Sequence, residues 1–280
     1  MNIKILSDST CDLSAELIEQ LGVTIIPLTV IKDGQPYQDA VNITPADIFE
    51  HVANGGDLCS TTATNMGEYM DYFEKYSKEY DAVVHINLGS GFSSCYQNAC
   101  LAADEFENVR VVDSKNLSTG QGLVVLKACE LAKNCSSIDE LKEQLDAFTP
   151  KVEASFLLDQ LKYMVKGGRC SSAAALGANL LNLKPCIEVK DGKMSVVKKY
   201  RGSYSKCLAS YVKDRLNERD DLDKSTLFVT RTPITDDCLE AVKTAVETYG
   251  DFENTYWTEA GCTVSCHCGP GTLGVLFVRK

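Results

Sequence analysis

Residue types able to do chemistry are densest in Gly89-Ser90-Gly91-Phe92-Ser93-Ser94-Cys95-Tyr96-Gln97. An apolar run, Ala82 to Leu88, precedes this stretch, and a segment with helical patterning, Cys95 to Phe106, follows it. A strand that gives way to glycines and hydroxyls and then opens a helix is how α/β proteins build anion sites. The first N–H groups of a helix have no partner inside it and bear partial positive charge. Glycine lets a ligand oxygen approach the chain closely. A second hydroxyl cluster, Ser60-Thr61-Thr62-Ala63-Thr64-Asn65, also stands just before a helical segment.

The elements around these loops follow one pattern. Ile3 to Leu6 reads as a strand ending in Ser7-Asp8-Ser9-Thr10, and Asp12 or Ser14 can cap the helix that follows. Thr44-Pro45-Ala46-Asp47 has the N-cap, N1 proline and N3 acid of a helix start. Val109 to Ser114 is another strand with a polar end, followed by the apolar helix Leu123 to Ala132. Strand, polar loop and helix recur before residue 135, which predicts a mostly parallel, three-layer α/β sheet domain. Beyond residue 150 the pattern changes. Lys184 to Val189 and Met194 to Lys199 flank Lys190-Asp191-Gly192-Lys193 as a hairpin, Ser171 to Leu181 reads as a small-residue helix, and Cys262 to Gly271 as a glycine-rich turn. The expectation is an α/β domain over 1–150 and an α+β domain with antiparallel strands over 151–280.

Composition narrows the partners. The chain has 280 residues, a net charge of −11 and a pI near 4.8, whereas nucleic-acid phosphates require a basic footprint. The N-terminus reads directly into a strand, without the apolar region of a secretory leader. No run approaches the roughly 18 apolar residues of a transmembrane segment. Thirteen scattered cysteines without a repeated C-x-x-C pair read as free, mostly buried thiols. Together these features point to the cytoplasm.

The Gly89 loop supports more than one reading. Asp113, at the end of the next strand, completes the context of a dinucleotide fingerprint, although Ser94 replaces the third glycine. A plain turn with Ser93 as N-cap is the bland reading. Cys262, Cys266, His267 and Cys268 raise zinc, but neighbours in an extended chain alternate sides and cannot all face one ion. A hydrolase triad drawn from Ser9, Ser93 and Asp113 with His85 or His267 lacks the Gly-x-Ser-x-Gly elbow.

Eight stretches in order resemble the DegV family of bacterial fatty-acid-binding proteins. They are Ser7 to Leu13, Ser60 to Asn65, the Gly89 loop, Val112-Asp113-Ser114, Lys166 to Arg169, Leu180 to Pro185, Lys199 to Gly202 and His267 to Gly271. The resemblance implies a non-catalytic, lipid-carrying subunit whose long-chain fatty acid is phosphorylated to acyl-phosphate by a separate fatty-acid kinase catalytic subunit. It implies no cofactor and no metal, and transient contact with a membrane surface is compatible with it. By the same resemblance the lipid carboxylate meets Thr61, Ser93 and His267, with hydroxyls also at Thr62 and Ser94. Arg169 and Arg201 fall on the side of the partner or the phosphate. An enzyme binding a nucleotide or dinucleotide at Gly89–Ser94 is the second reading.

The physics suits a fatty acid. Burying about 15 methylenes at about 0.8 kcal/mol each gives about 12 kcal/mol before ordering costs. The tail then supplies affinity, and neutral hydroxyls need only orient the head. Phe156, Leu158, Leu161, Met164, Leu176, Leu180, Leu181, Ile26, Leu28 and Phe92 are candidates for an apolar slot, although for each taken alone ordinary core is the better reading.

Overall fold

The computed structural model describes residues 1–176 and 183–280. In chain order the first half contains β1 (Ile3–Asp8), α1 (Ala15–Leu21), β2 (Thr24–Ile26), β3 (Thr29–Lys32), β4 (Gln35–Gln38) and α2 (Pro45–Ala53). It continues through β5 (Ser60–Thr62), α3 (Met66–Glu79), β6 (Ala82–Asn87), α4 (Cys95–Ala103), β7 (Val109–Asp113), α5 (Thr119–Leu131) and α6 (Ile138–Phe148). The second half opens with β8 (Val152–Leu158), α7 (Lys162–Gly167), α8 (Ser171–Ala174), β9 (Leu183–Lys190), β10 (Lys193–Arg201) and α9 (Tyr204–Leu216). It closes with β11 (Leu222–Arg231), α10 (Asp236–Tyr249), β12 (Asn254–Glu259), α11 (Cys262–Cys268) and β13 (Thr272–Arg279).

The first sheet is parallel throughout, in the order β2-β1-β6-β7. All six residues of β6 are buried, as expected of a strand covered on both faces rather than on one. The α3–α4 pair and the α5–α6 pair supply that cover. A small antiparallel sheet, β4-β3-β5, sets Thr61 opposite Val30. The second large sheet runs β10-β9-β8-β13-β11-β12, antiparallel except for the β11–β12 edge pair.

Strand membership therefore changes at residues 149–151, a short 3-10 turn, but the apolar core crosses that point. One continuous cluster runs from Ile5 and Leu6 through Val124 to Phe156 and Leu276. The reason is α5, which is buried from Thr119 to Val125 and touches β1 and β6 on one side and β8 and β13 on the other. The buried first part of this helix carries no charged residue, and two sheets enclose it. A separate cluster fills the outer face of the large sheet beneath α9 and α10.

Local signals behave as read at Thr44, whose side chain forms a reciprocal capping box with Asp47 beside Pro45. Ser14 caps α1. Two expectations differ. Of the helix expected over Ser171 to Leu181, Ser171–Ala174 is helical and Ala175 and Leu176 form a turn, while Leu180 and Leu181 lie outside the described residues. The segment expected as a glycine-rich turn contains α11. Its cap comes from far away: Asp39 accepts the N–H groups of Cys262 and Thr263 at 2.8 and 3.0 Å. Asp12 accepts that of Gly261 at 2.9 Å. The two carboxylates also receive the hydroxyls of Ser9 and Ser118, so first-half residues clamp a second-half helix.

Candidate functional site

The Gly89 loop is built by neighbouring strand ends. The carboxylate of Asp8 accepts the Leu88 N–H at 2.7 Å. Asp113 accepts both the N–H and the hydroxyl of Ser90, at 3.0 and 2.6 Å. A Cβ on Gly91 would stand 2.0 Å from the carbonyl oxygen of Gly192, so this glycine admits the β9–β10 hairpin. Both features that suggested a dinucleotide thereby have other uses: Asp113 holds the loop, and Gly91 packs against protein. Ser93 Oγ accepts the Cys95 N–H at 3.2 Å and donates to the Cys95 sulfur at 3.1 Å, while Ser94 makes no side-chain cap.

Beside this loop lies a cavity of about 180 Å³. Thr61 arrives from β5 and His267 from the last turn of α11, and Thr61 Oγ1 meets His267 Nε2 at 2.8 Å across 206 positions of sequence. Ser93, Ser94, Thr62 and Thr10 add hydroxyls to the wall. Thr263 does too, and its Oγ1 is buried with no partner among the described residues. Arg169, just past the C-terminal end of α7, is the only formally charged residue on the described lining. Its guanidinium donates to the carbonyls of Gly167 and Phe92, at 2.6 and 3.4 Å. Leu28, Leu88, Phe92, Met164, Met194 and Val264 make the rest of the wall apolar.

His267 is neutral at ordinary pH. Burial pushes its imidazolium down to about 4, and the nearby Arg169 guanidinium adds to the effect. A Cβ on Gly167 would stand 2.4 Å from His267 Nδ1, so the missing side chain there lets the ring lie flat against α7. With the proton on Nε2, the imidazole donates to Thr61 Oγ1 and leaves the hydroxyl proton of Thr61 for an incoming oxygen. The site thus offers an anion neutral donors and one cation, with no carboxylate on the described wall to oppose it.

The expected head-group residues Thr61, Thr62, Ser93, Ser94 and His267 all line this cavity, and Arg169 lines it with them. Arg201 does not: it stands exposed at the end of β10. Of the expected slot residues, Leu28, Phe92 and Met164 line the cavity. Phe156 lines an adjoining one. Ile26, Leu158, Leu161 and Leu176 line neither. The reading missed Met194, Thr263 and Val264, although Val264 and His267, three apart, would have shared a face had the segment been read as helix. The cysteines divide because α11 is helical rather than extended. Cys262 and Cys266 pack with Val30, Ile43 and Ile48, whereas His267 turns to Thr61. Burial raises the thiols of Cys262, Cys266 and Cys268, the last to about 12. Of the triad residues, Ser9 donates to Asp39 and His85 is buried against Asp8.

Comparison with known proteins bears on the family and the fold. The profile described as "Uncharacterised protein, DegV family" matches residues 2–280. The chain belongs to the DegV family. A DegV domain-containing protein of Clostridium acetobutylicum is 34% identical over 281 residues, 99% of each chain. One from Caldanaerobacter subterraneus is 30% identical over 280 residues, also 99% of each. Among solved structures, a DegV family protein from Thermus thermophilus described by its fatty-acid binding superposes with a TM-score of 0.89. It is 28% identical, with 100% of both chains covered. The fatty-acid-binding DegV of Bacillus subtilis gives 0.82 at 28% identity, again over 100% of both chains. The DegV architecture of a parallel α/β unit joined to a sheet rich in antiparallel pairs is the one described above.

Proposed function

We propose that this protein binds a long-chain fatty acid and presents its carboxylate to a separate kinase. The observation that bears most of the weight is the make-up of the cavity. Neutral hydroxyl and imidazole donors and a single arginine line the same cavity as Leu28, Leu88, Phe92, Met164, Met194 and Val264, in a chain of net charge −11. A carboxylate on a hydrocarbon tail matches that division. Relatives whose solved structures are described by fatty-acid binding share the fold over the whole chain, which supports the reading.

In this reading Thr61, Ser93 and His267 hold the carboxylate, with Thr62 and Ser94 beside them, and Arg169 faces the phosphate or the partner. Arg201, exposed on β10, is assigned to the partner surface alone. The residues of 1–150 supply the hydroxyl loops, and those of 151–280 supply α11 and much of the tail's wall. Hydroxyl donors orient the carboxylate without the bidentate lock of a guanidinium fork, so one oxygen stays free as a nucleophile. That oxygen attacks the γ-phosphorus of ATP held by the kinase, the bond to the bridging oxygen breaks, and ADP leaves. The protein itself supplies position rather than catalysis. Work in the cytoplasm fits this role, as does transient contact with a membrane surface, and among the described residues no helix is long and apolar enough to cross a membrane.

The test is extraction of the purified protein and mass spectrometry of the extract. A stoichiometric fatty acid is expected. A lipid-free protein that also fails to take up added fatty acid overturns the reading. Saturable NAD(H) or FAD binding would promote the nucleotide reading instead.

A further inference from the structure

Behind the cavity lies a second, smaller one of about 30 Å³, and the two share Leu117, Val264 and Cys268. Val264 and Cys268 stand four apart on α11 and so project from one face, with Leu117 beside them on the boundary between the two cavities. The floor beyond this boundary is the inner face of the large sheet: Ala154 and Phe156 from β8, Thr272, Gly274 and Leu276 from β13, and Thr230 from β11.

Gly274 is the unusual residue in this floor. It occupies the middle of β13, in register with Phe156 on one side and Thr230 on the other. Glycine weakens a strand interior, and no left-handed backbone requires it here, because Gly274 is not among the glycines with positive φ. What its missing side chain provides is room. A Cβ would sit 3.1 Å from a Leu276 methyl, 3.2 Å from the Ser155 carbonyl oxygen and 3.6 Å from Phe156 Cβ, inside the notch that the small cavity occupies.

The polar atoms around the notch are already engaged. Ser118 donates to Asp12, and Ser155 bonds the Tyr211 hydroxyl. Thr230 bonds Thr119 and Thr258. Thr232 donates to the Gly269 carbonyl and Thr272 to that of Cys268. Arg231, at the rim, pairs with Glu259. The surface left for a ligand is hydrocarbon.

We propose that this rear cavity receives the methyl end of the acyl chain and gauges its length, with Leu117, Val264 and Cys268 as the neck and Gly274 as the residue that keeps the gauge open. The inference rests on the fatty-acid reading above and adds the selection of chain length to it. By volume the rear cavity holds about two or three water-sized groups. Each methylene excluded from it lowers affinity by about fourfold.

The experiment measures dissociation constants for saturated fatty acids from twelve to twenty carbons with delipidated wild type, Gly274→Ala, Gly274→Val and Cys268→Ala, checking each fold by circular dichroism. Wild-type affinity is expected to rise with length until the rear cavity is filled. Gly274→Val is expected to lower affinity for the longest chains by about tenfold relative to the shortest, and Gly274→Ala by less. Cys268→Ala, which widens the neck, is expected to leave that optimum in place or lengthen it. A profile that moves equally at all lengths, or not at all, in whichever Gly274 variant folds overturns the gauge while leaving fatty-acid binding intact. A wild type that binds no member of the series overturns both.

Discussion

The front and rear cavities are both ringed by serines and threonines, yet the two rings do different work. At the rear, the hydroxyls of Ser118, Ser155, Thr230, Thr232 and Thr272 bond to protein partners. At the front, Thr10 likewise donates to Gln121, but Thr61 pairs with a neutral histidine, Ser93 with a thiol and a helix N–H, and Thr263 Oγ1 has no partner among the described residues. Residue type alone does not separate them. What sets Thr61 and Thr263 apart is that protein partners do not exhaust their bonding capacity, and a buried polar group must be satisfied by protein or by ligand.

That contrast can be broken from either side. The largest effect is expected at the front. Thr61→Val combined with Ser93→Ala removes two hydrogen bonds to a charged group, each worth about 1.5–3 kcal/mol. Affinity for a fatty acid should fall by about a hundredfold or more, while that for its methyl ester, which carries no charge, changes little. Equal losses for acid and ester, measured by calorimetry, would mean that the front hydroxyls only shape the wall.

At the rear the opposite split is expected. Thr232 Oγ1 donates to Gly269 and accepts the Thr272 N–H, so Thr232→Val should cost about 2 kcal/mol of stability in urea unfolding. The ratio of acid to ester affinity should be unchanged, and a shift in that ratio would erase the distinction between the two rings.

The smallest effect concerns charge. Arg169→Gln removes a cation that helps to hold His267 near 4, so the His267 midpoint followed by NMR should rise toward its ordinary 6.5. Because the folded value is the lower one, His267 contributes stability in full above 6.5 and loses it as pH falls from there through about 4. A midpoint unmoved by the substitution would assign the shift to burial alone.

How much of this was legible in the sequence differs between elements. The capping box at Thr44 is local, and its four residues state it completely. The Gly89 loop was legible as a hydroxyl-rich loop, part of which lines the front cavity, but its glycines suggested a phosphate because the Gly192 hairpin that meets Gly91 is distant in the chain. Helix α11 was not legible. Cys-Thr-Val-Ser has poor helix propensity, and the cap that starts the helix is Asp39, 223 positions away. Slot residues were legible only as apolar. Phe156 lines the rear cavity and Leu158, two residues on in the same strand, lines neither cavity, a difference set by which surfaces meet across the seam. Gly274 gave no signal that a strand glycine would not give anywhere.

The clamp that Asp12 and Asp39 place on α11 has a consequence for working conditions. Burial, with Asp39 nearby, pushes the Asp12 carboxyl from 3.8 up to about 8. A folded value above the unfolded one means stability that is fully present below 3.8 and lost as pH rises through about 8. Between about 4 and 6.5 this slope opposes that of His267, and from 6.5 to 8 it acts alone. The join between the halves is therefore held more firmly in mildly acidic buffer than at pH 8, and delipidated protein, lacking a ligand across that join, should be the form that feels the difference most.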